Sequence, residues 1–198
     1  INMDVLVSGT IFLGKMVEPV SSTKNPYSKM EMGVPYTHTP KFLQFDYRLV
    51  APAGAPIYSS GFGSKKKLSG RDNAEVFVLL QRRWEDAKGN IHAERVGTGR
   101  ERFGKTTMGW VNKHRIPIWY GDIRHHAGYK SFMGLIPKEK SYYARNSKGK
   151  MKPVIEEKWA PVGTKPTHVL VMLSSGCGTA YTGTVGMTLW VDNVAFVH

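Results

Sequence analysis

The stretch Lys41-Phe-Leu-Gln-Phe-Asp-Tyr-Arg-Leu49 alternates side-chain character with a period of two. Leu43, Phe45, Tyr47 and Leu49 fall on one face, and Gln44, Asp46 and Arg48 fall on the other. That is the pattern of a β-strand with one face on a core. Further along, Val76, Val78 and Leu80 alternate with Phe77 and Leu79 before Arg82 and Arg83. Both faces of this second strand, over 74–84, are therefore expected to be buried for most of its length, and residues 86–90 read as the turn that ends it. Strands are also predicted over 5–13, 91–96, 107–111, 115–119, 167–174 and 187–197, where β-branched and aromatic residues run between Gly, Pro and Ser. No segment keeps helical periodicity over three turns with caps at both ends, although residues 127–135 allow a short helix.

About eight irregularly spaced strands with no internal repeat predict an all-β fold, a jelly-roll β-sandwich of two antiparallel sheets. Two stretches read as long loop insertions: 52–73, rich in Gly, Ser and Lys, and 128–166, with Pro, Gly, Lys and paired aromatics. Neither flanking part has enough strands to close a core, so residues 1–198 are read as a single domain.

Composition narrows the classes. With 198 residues and 41% hydrophobic side chains, the chain can bury enough apolar area to fold without staples. The one cysteine, Cys177, excludes an internal disulfide and a cysteine-based zinc site. There is no apolar run of the ~20 residues a transmembrane helix needs, and no basic-then-apolar leader. Opening on Ile1 rather than methionine is the pattern expected of a piece of a longer product. Lys and Arg number 28 against 15 Asp and Glu, a net charge of +13, clustered at Lys65 to Lys67, Arg82-Arg83, Arg100 to Lys105 and Lys138 to Lys152. Such clusters attract polyanions. No RNA-recognition signature, zinc finger or helix-turn-helix pattern accompanies them, so nucleic acid is not the expected partner.

Two motifs carry a resemblance. Gly33-Val-Pro-Tyr-Thr-His-Thr-Pro-Lys41 leads into the first strand quoted above, and Ser174-Ser-Gly176 precedes Gly183-Thr-Val-Gly-Met-Thr-Leu-Trp-Val-Asp-Asn-Val194. With Asn25-Pro26 and the Thr106-Thr107, Trp110 and Ile116-Pro-Ile118 stretch, these resemble a family called the "putative carbohydrate metabolism domain". The resemblance implies a jelly-roll similar to carbohydrate-binding modules, in secreted or cell-envelope proteins of gut bacteria, some of them labelled as glycoside hydrolases without a defined active site. It implies carbohydrate as partner, an extracellular or envelope location, and other domains or proteins of the same surface system as neighbours.

Sugars stack their apolar C–H faces on aromatic rings and present hydroxyls to amides, carboxylates and guanidinium groups. Trp119, Tyr120, Trp159 and Tyr142 are the stacking candidates, with Arg82, Arg124 and His125 as polar partners; Trp84, Trp110 and Trp190 read as core or edge packing. Hydrolysis needs two carboxyl groups about 5–10 Å apart. Glu156 and Glu157, the one Glu-Glu doublet, point to opposite faces of an extended chain, and any convergence of Glu75, Glu94 and Asp122 is not visible in sequence. No organic cofactor is indicated. A structural Ca²⁺ on Asp192 is open, with a basic side chain or backbone amide as the alternative partner for that carboxylate. The adjacent His125-His126 fits a loop better than zinc, and Cys177 in a Gly-rich turn reads as an inert thiol. The expected function is binding of a poly- or oligosaccharide, an anionic one if the basic clusters take part, with a glycoside hydrolase or an adhesive surface module as alternatives and no catalytic residue assigned.

Overall fold

The structure is a computed structural model and describes residues 5–17, 25–60 and 65–198. Among these residues there is no α-helix. The strands are β1 (Thr10–Phe12), β2 (Gly14–Met16), β3 (Met30–Met32), β4 (Val34–Pro35), β5 (Phe42–Val50), β6 (Ile57–Ser59), β7 (Lys66–Leu68), β8 (Ala74–Glu85), β9 (Ile91–Phe103), β10 (Val111–Pro117), β11 (Trp119–Tyr120), β12 (Tyr143–Arg145), β13 (Met151–Trp159), β14 (His168–Ser174), β15 (Thr182–Thr184) and β16 (Thr188–Val197). Short 3₁₀ turns occupy Pro26–Lys29, Ser131–Met133 and Lys138–Lys140.

The large sheet has the order β1-β14-β8-β9-β13-β12-β3-β2, with β4 also on β14 and β11 also on β9. Its two edges nearly meet. β1 and β2 are separated only by Leu13, whose N–H donates to the Val171 carbonyl (3.0 Å) while its own carbonyl accepts from the Gly33 N–H (2.8 Å). The chain thus crosses from one edge of the sheet to the other, curling it into a barrel-like wall. Gly14 makes the crossing possible: its φ is 148°, and a Cβ there would lie 2.0 Å from the Glu31 carbonyl oxygen.

A three-stranded sheet, β10-β5-β16, packs on one face of this wall. Leu43, Phe45, Tyr47 and Leu49 meet Val76, Val78, Leu80, Val96, Val169 and Val171 there. The opposite face of the same wall carries Phe77, Leu79 and Leu170 into a lumen, against Met32 with Phe12, Ile136, Tyr142 and Met172 around them. β8 is buried on both faces from Ala74 to Gln81 because it has a core on each side, as its sequence predicted. The Gly33–Lys41 motif is the passage between the layers. Tyr36 donates its N–H to Thr167 and packs on Phe196, Pro40 accepts from the Tyr120 hydroxyl, and Lys41 donates to Val197.

The all-β class holds; several finer expectations are corrected. The sheets are not all antiparallel, because β13 runs parallel to β9 and β12 pairs parallel with β3. β15-β6-β7 form a separate small sheet. The stretch 128–166 is not a loop insertion, since it holds β12 and the nine-residue β13. β13 reads Met-Lys-Pro-Val-Ile-Glu-Glu-Lys-Trp, and its proline and four charged residues disguise a strand whose inward position is filled by a carboxylate instead of an apolar group. Among its described residues, the stretch 52–73 holds β6 and β7 as regular structure. A strand begins at Val111 rather than 107, only Thr10–Phe12 of 5–13 is strand, and the short helix at 127–135 shrinks to the 3₁₀ turn Ser131–Met133.

That inward carboxylate is Glu156, and with Arg95 it sits in the lumen fully buried. The Arg95 Nε and Nη2 donate to Glu156 at 2.6 and 2.5 Å, and Nη1 donates to Thr98. Glu156 also accepts from Gln81 (2.6 Å) and the Ile136 N–H (2.8 Å). Burial pushes the Glu156 carboxyl up, and the Arg95 charge and these hydrogen bonds more than offset it, so the group lies below its ordinary range. Glu157 points the other way, to His92 at 2.6 Å, as an extended doublet requires.

At the start of β14, burial and the charge of Arg83 hold His168 down to about 4. An unfolded histidine titrates near 6.5, so between these values the unfolded chain binds a proton that the folded one refuses. Stability is therefore full above about 6.5 and falls as pH drops toward 4. Urea midpoints measured from pH 7 to 4 should decline through this window, and His168→Asn should flatten the decline; an unchanged slope would contradict this assignment.

Candidate functional site

The lumen opens into a cavity of about 820 Å³, whose floor is Phe12, Met32 and Met172. Its charged wall follows from strand register. Glu75 on β8 stands opposite Arg102 on β9, and Phe77 stands opposite Arg100. Alternation sends Glu75 and Phe77 to the lumen side while Val76 enters the other core. Glu75 is 3% exposed. It accepts from Arg100 Nε and Nη2 (3.1 and 2.9 Å) and from Arg102 Nε (2.7 Å). The Arg100 guanidinium lies 5.3 Å over the Phe77 ring and that of Arg102 4.3 Å over Phe132.

The aromatic wall continues from Phe77 to Tyr142 (5.9 Å between ring centroids) and from Tyr142 edge-on to Tyr27 (5.7 Å). Burial pushes the hydroxyls of both tyrosines above their ordinary range, helped at Tyr27 by the Glu75 charge, so each stays a neutral donor and acceptor. Ser8, Thr10, Ser174, Thr179 and Thr182 supply hydroxyls around the opening. Among the described lining residues Glu75 is the one carboxylate, facing three cations, Arg100, Arg102 and Lys140. Burial pushes the Cys177 thiol up, consistent with an unreactive group; its N–H donates to buried Asp72 at 3.2 Å.

The residues singled out from sequence go to different places. Tyr142 lines the cavity. Trp119, Tyr120 and Trp159 come together along one edge of β9, opposite Thr98, Gly97 and Arg95 respectively. They do not make an open shelf with Tyr142. One face of Trp119 is covered by the His126 ring at 3.7 Å, Tyr120 is tied to Pro40, and Trp159 has the buried Arg95 guanidinium over its ring at 5.6 Å. Arg82 pairs with Glu94 at 2.5 Å, which also binds Lys158, while Arg124 pairs with Asp122 at 2.6 Å and His125 is exposed beside it. Glu75, Glu94 and Asp122 do not converge; each is held by separate basic side chains, Arg100 and Arg102, Arg82 and Lys158, and Arg124 respectively.

Asp192 is exposed and stands opposite Asp46 in the β16–β5 ladder, both engaged with Asn193. Asp46 belongs to the outward face of β5 with Gln44 and Arg48, and the register shift of β16 follows between Asp192 and Ala195. Among the described residues no group of three or more His, Cys, Asp or Glu side chains is placed to hold a metal ion.

No family model and no curated protein matches the chain. Solved structures do. One, described as a "putative glycoside hydrolase" from Bacteroides thetaiotaomicron, superposes with a TM-score of 0.59 at 19% identity, over 96% of this chain and 47% of its own. Another so described, from Bacteroides vulgatus, gives a TM-score of 0.54 at 15% identity, over 96% of this chain and 64% of its own. The chain spans about half to two thirds of the length of these neighbours and shares their fold.

Proposed function

We propose that this chain is a carbohydrate-associated β-module that binds a poly- or oligosaccharide in the lumen cavity, outside the cell or in its envelope, within a bacterial glycan-utilisation system. The observation that carries the reading is the cavity's mixed wall. The rings of Tyr27, Tyr142 and Phe132 offer stacking surfaces, and tyrosine, serine and threonine hydroxyls with two fixed guanidinium groups offer hydrogen bonds. The volume falls in the range of about 300–1,000 Å³ common to ligand sites. The two Bacteroides neighbours and the motifs around Gly33 and Trp190 point to the same chemistry. Binding rather than hydrolysis is favoured because the cavity's carboxylate, Glu75, is clamped by two arginines and has no second carboxylate among the described lining residues. The edge carrying Trp119, Tyr120 and Trp159 is the alternative location for the sugar.

Affinity electrophoresis against neutral and acidic polysaccharides tests the proposal. Retardation by at least one, without release of reducing ends, is expected. Mobility unchanged by every glycan would overturn the reading, and release of reducing ends would move it to hydrolysis.

A further inference from the structure

We infer that the saccharide this cavity takes is acidic, its carboxylate or sulfate meeting the outer fork of Arg102 and the ammonium of Lys140; the inference rests on the glycan-binding reading above. Among the described lining residues there are three cations and one carboxylate, a net charge of +2 over those residues. Glu75 does not neutralise them. Both of its oxygens are spent on Arg100 and on the Nε of Arg102, which leaves the two terminal nitrogens of Arg102 without a partner among the described residues. The Arg102 side chain is 30% exposed and its plane rests on Phe132 at 4.3 Å. It is thus held by a carboxylate at its Nε and by a ring against its plane, within the lining of the cavity.

A guanidinium so fixed has little freedom left to lose on binding, and its planar donors match a carboxylate or sulfate in a bidentate arrangement. A neutral sugar would strip water from this fork and return only hydroxyl hydrogen bonds, whereas an anion replaces the water with a charge-assisted pair. The charge belongs beside the aromatic wall, so the expected ligand joins an acidic group to an apolar sugar face. An extended polyanion read through its backbone alone would leave Tyr27, Tyr142 and the apolar floor unused.

Titration calorimetry of the whole chain at about 0.15 M NaCl provides the test, with paired probes: galacturonate oligomers against the same oligomers reduced to the neutral sugar, and dextran sulfate against dextran. Preference for the acidic member by about tenfold or more is expected in one pair, which also identifies carboxylate or sulfate as the group read. Arg102→Gln should abolish that preference, Arg102→Lys should restore part of it, and Lys66→Gln, on β7 and outside the described lining residues, should leave it intact; thermal melting checks that each variant is folded. Equal affinity within both pairs would overturn the acidic assignment and leave the glycan reading standing. A preference that survives Arg102→Gln and disappears with Lys66→Gln would overturn it as surface adsorption. Binding of none of the four probes, together with unchanged mobility in the electrophoresis panel, would remove both.

Discussion

Replacing Arg95 with methionine should cost about 3–5 kcal/mol of stability, because it strands the Glu156 carboxylate in the lumen. Neither side chain of the pair is exposed, so no water can take over the lost hydrogen bonds. Gln81 and the Ile136 N–H would remain to Glu156, but both are neutral donors and cannot balance its charge. Arg95→Met combined with Glu156→Leu should recover most of the loss, since removing both charges also removes both desolvation penalties. The two single changes should therefore be strongly non-additive in urea unfolding. The pair also sets an acid limit. The folded Glu156 lies below the ordinary glutamate range, so its contribution is present above the unfolded value and is lost as pH falls through the folded one. The wild type should weaken below about pH 4.3, and the double variant should weaken less. A single variant as stable as the wild type would show that the pair is not the lumen's central tie.

Phe45→Ala should be of the same size, about 3–5 kcal/mol, for a different reason. Phe45 is 0% exposed in the middle of β5, edge-on to Phe103 at 6.3 Å and packed beside Tyr47 and His114. Truncation leaves a void between the three-stranded sheet and the barrel wall that neither layer can collapse into. Trp190→Ala, by contrast, should change stability by no more than about 0.5 kcal/mol, since that ring is 41% exposed beside Arg48 on the outer face of the same sheet. Thermal unfolding of the two variants side by side checks both values.

That contrast shows what the sequence makes legible. β5 announces itself because strict alternation has one cause, a pleated strand with an apolar layer against one face, and β8 because its unbroken apolar run from Val76 to Leu80 calls for a layer on each face. Tryptophans carry no such direction. Trp84, Trp110 and Trp190, expected in the core or at its edge, are 39%, 48% and 41% exposed. They lie on strand ends or outer faces where a side chain faces outward; Trp84, past the two-layer region, stacks on His92 at 5.5 Å. β13 stayed hidden because its lumen position holds a charge whose partner, Arg95, is remote in sequence, so neither residue alone looks buried. The cavity was hidden for the same reason. Its wall joins Tyr27, Glu75, Arg100 and Tyr142, which only the curl of the sheet brings together; the sequence marks Tyr142 as a ligand contact, Glu75 only as one carboxylate among several and Arg100 only as part of a basic cluster. One signal was available: Glu75 shares a face with Phe77 and Leu79 on a strand apolar on both sides, and a charge in such a row needs a partner across the sheet. The closing of the sheet at Leu13 and Gly14 is a long-range geometric fact with no local pattern beyond the glycine itself.

The most direct test of the account compares glycan retention by two variants in affinity electrophoresis, using whichever polysaccharide retards the wild type. Tyr27→Ala removes an aromatic wall of the cavity, and Trp119→Ala removes a ring from the β9 edge, where one face is already covered by His126. The account predicts that Tyr27→Ala loses most of the retardation while Trp119→Ala keeps it. Retardation kept by Tyr27→Ala and lost by Trp119→Ala would contradict the cavity as the binding site.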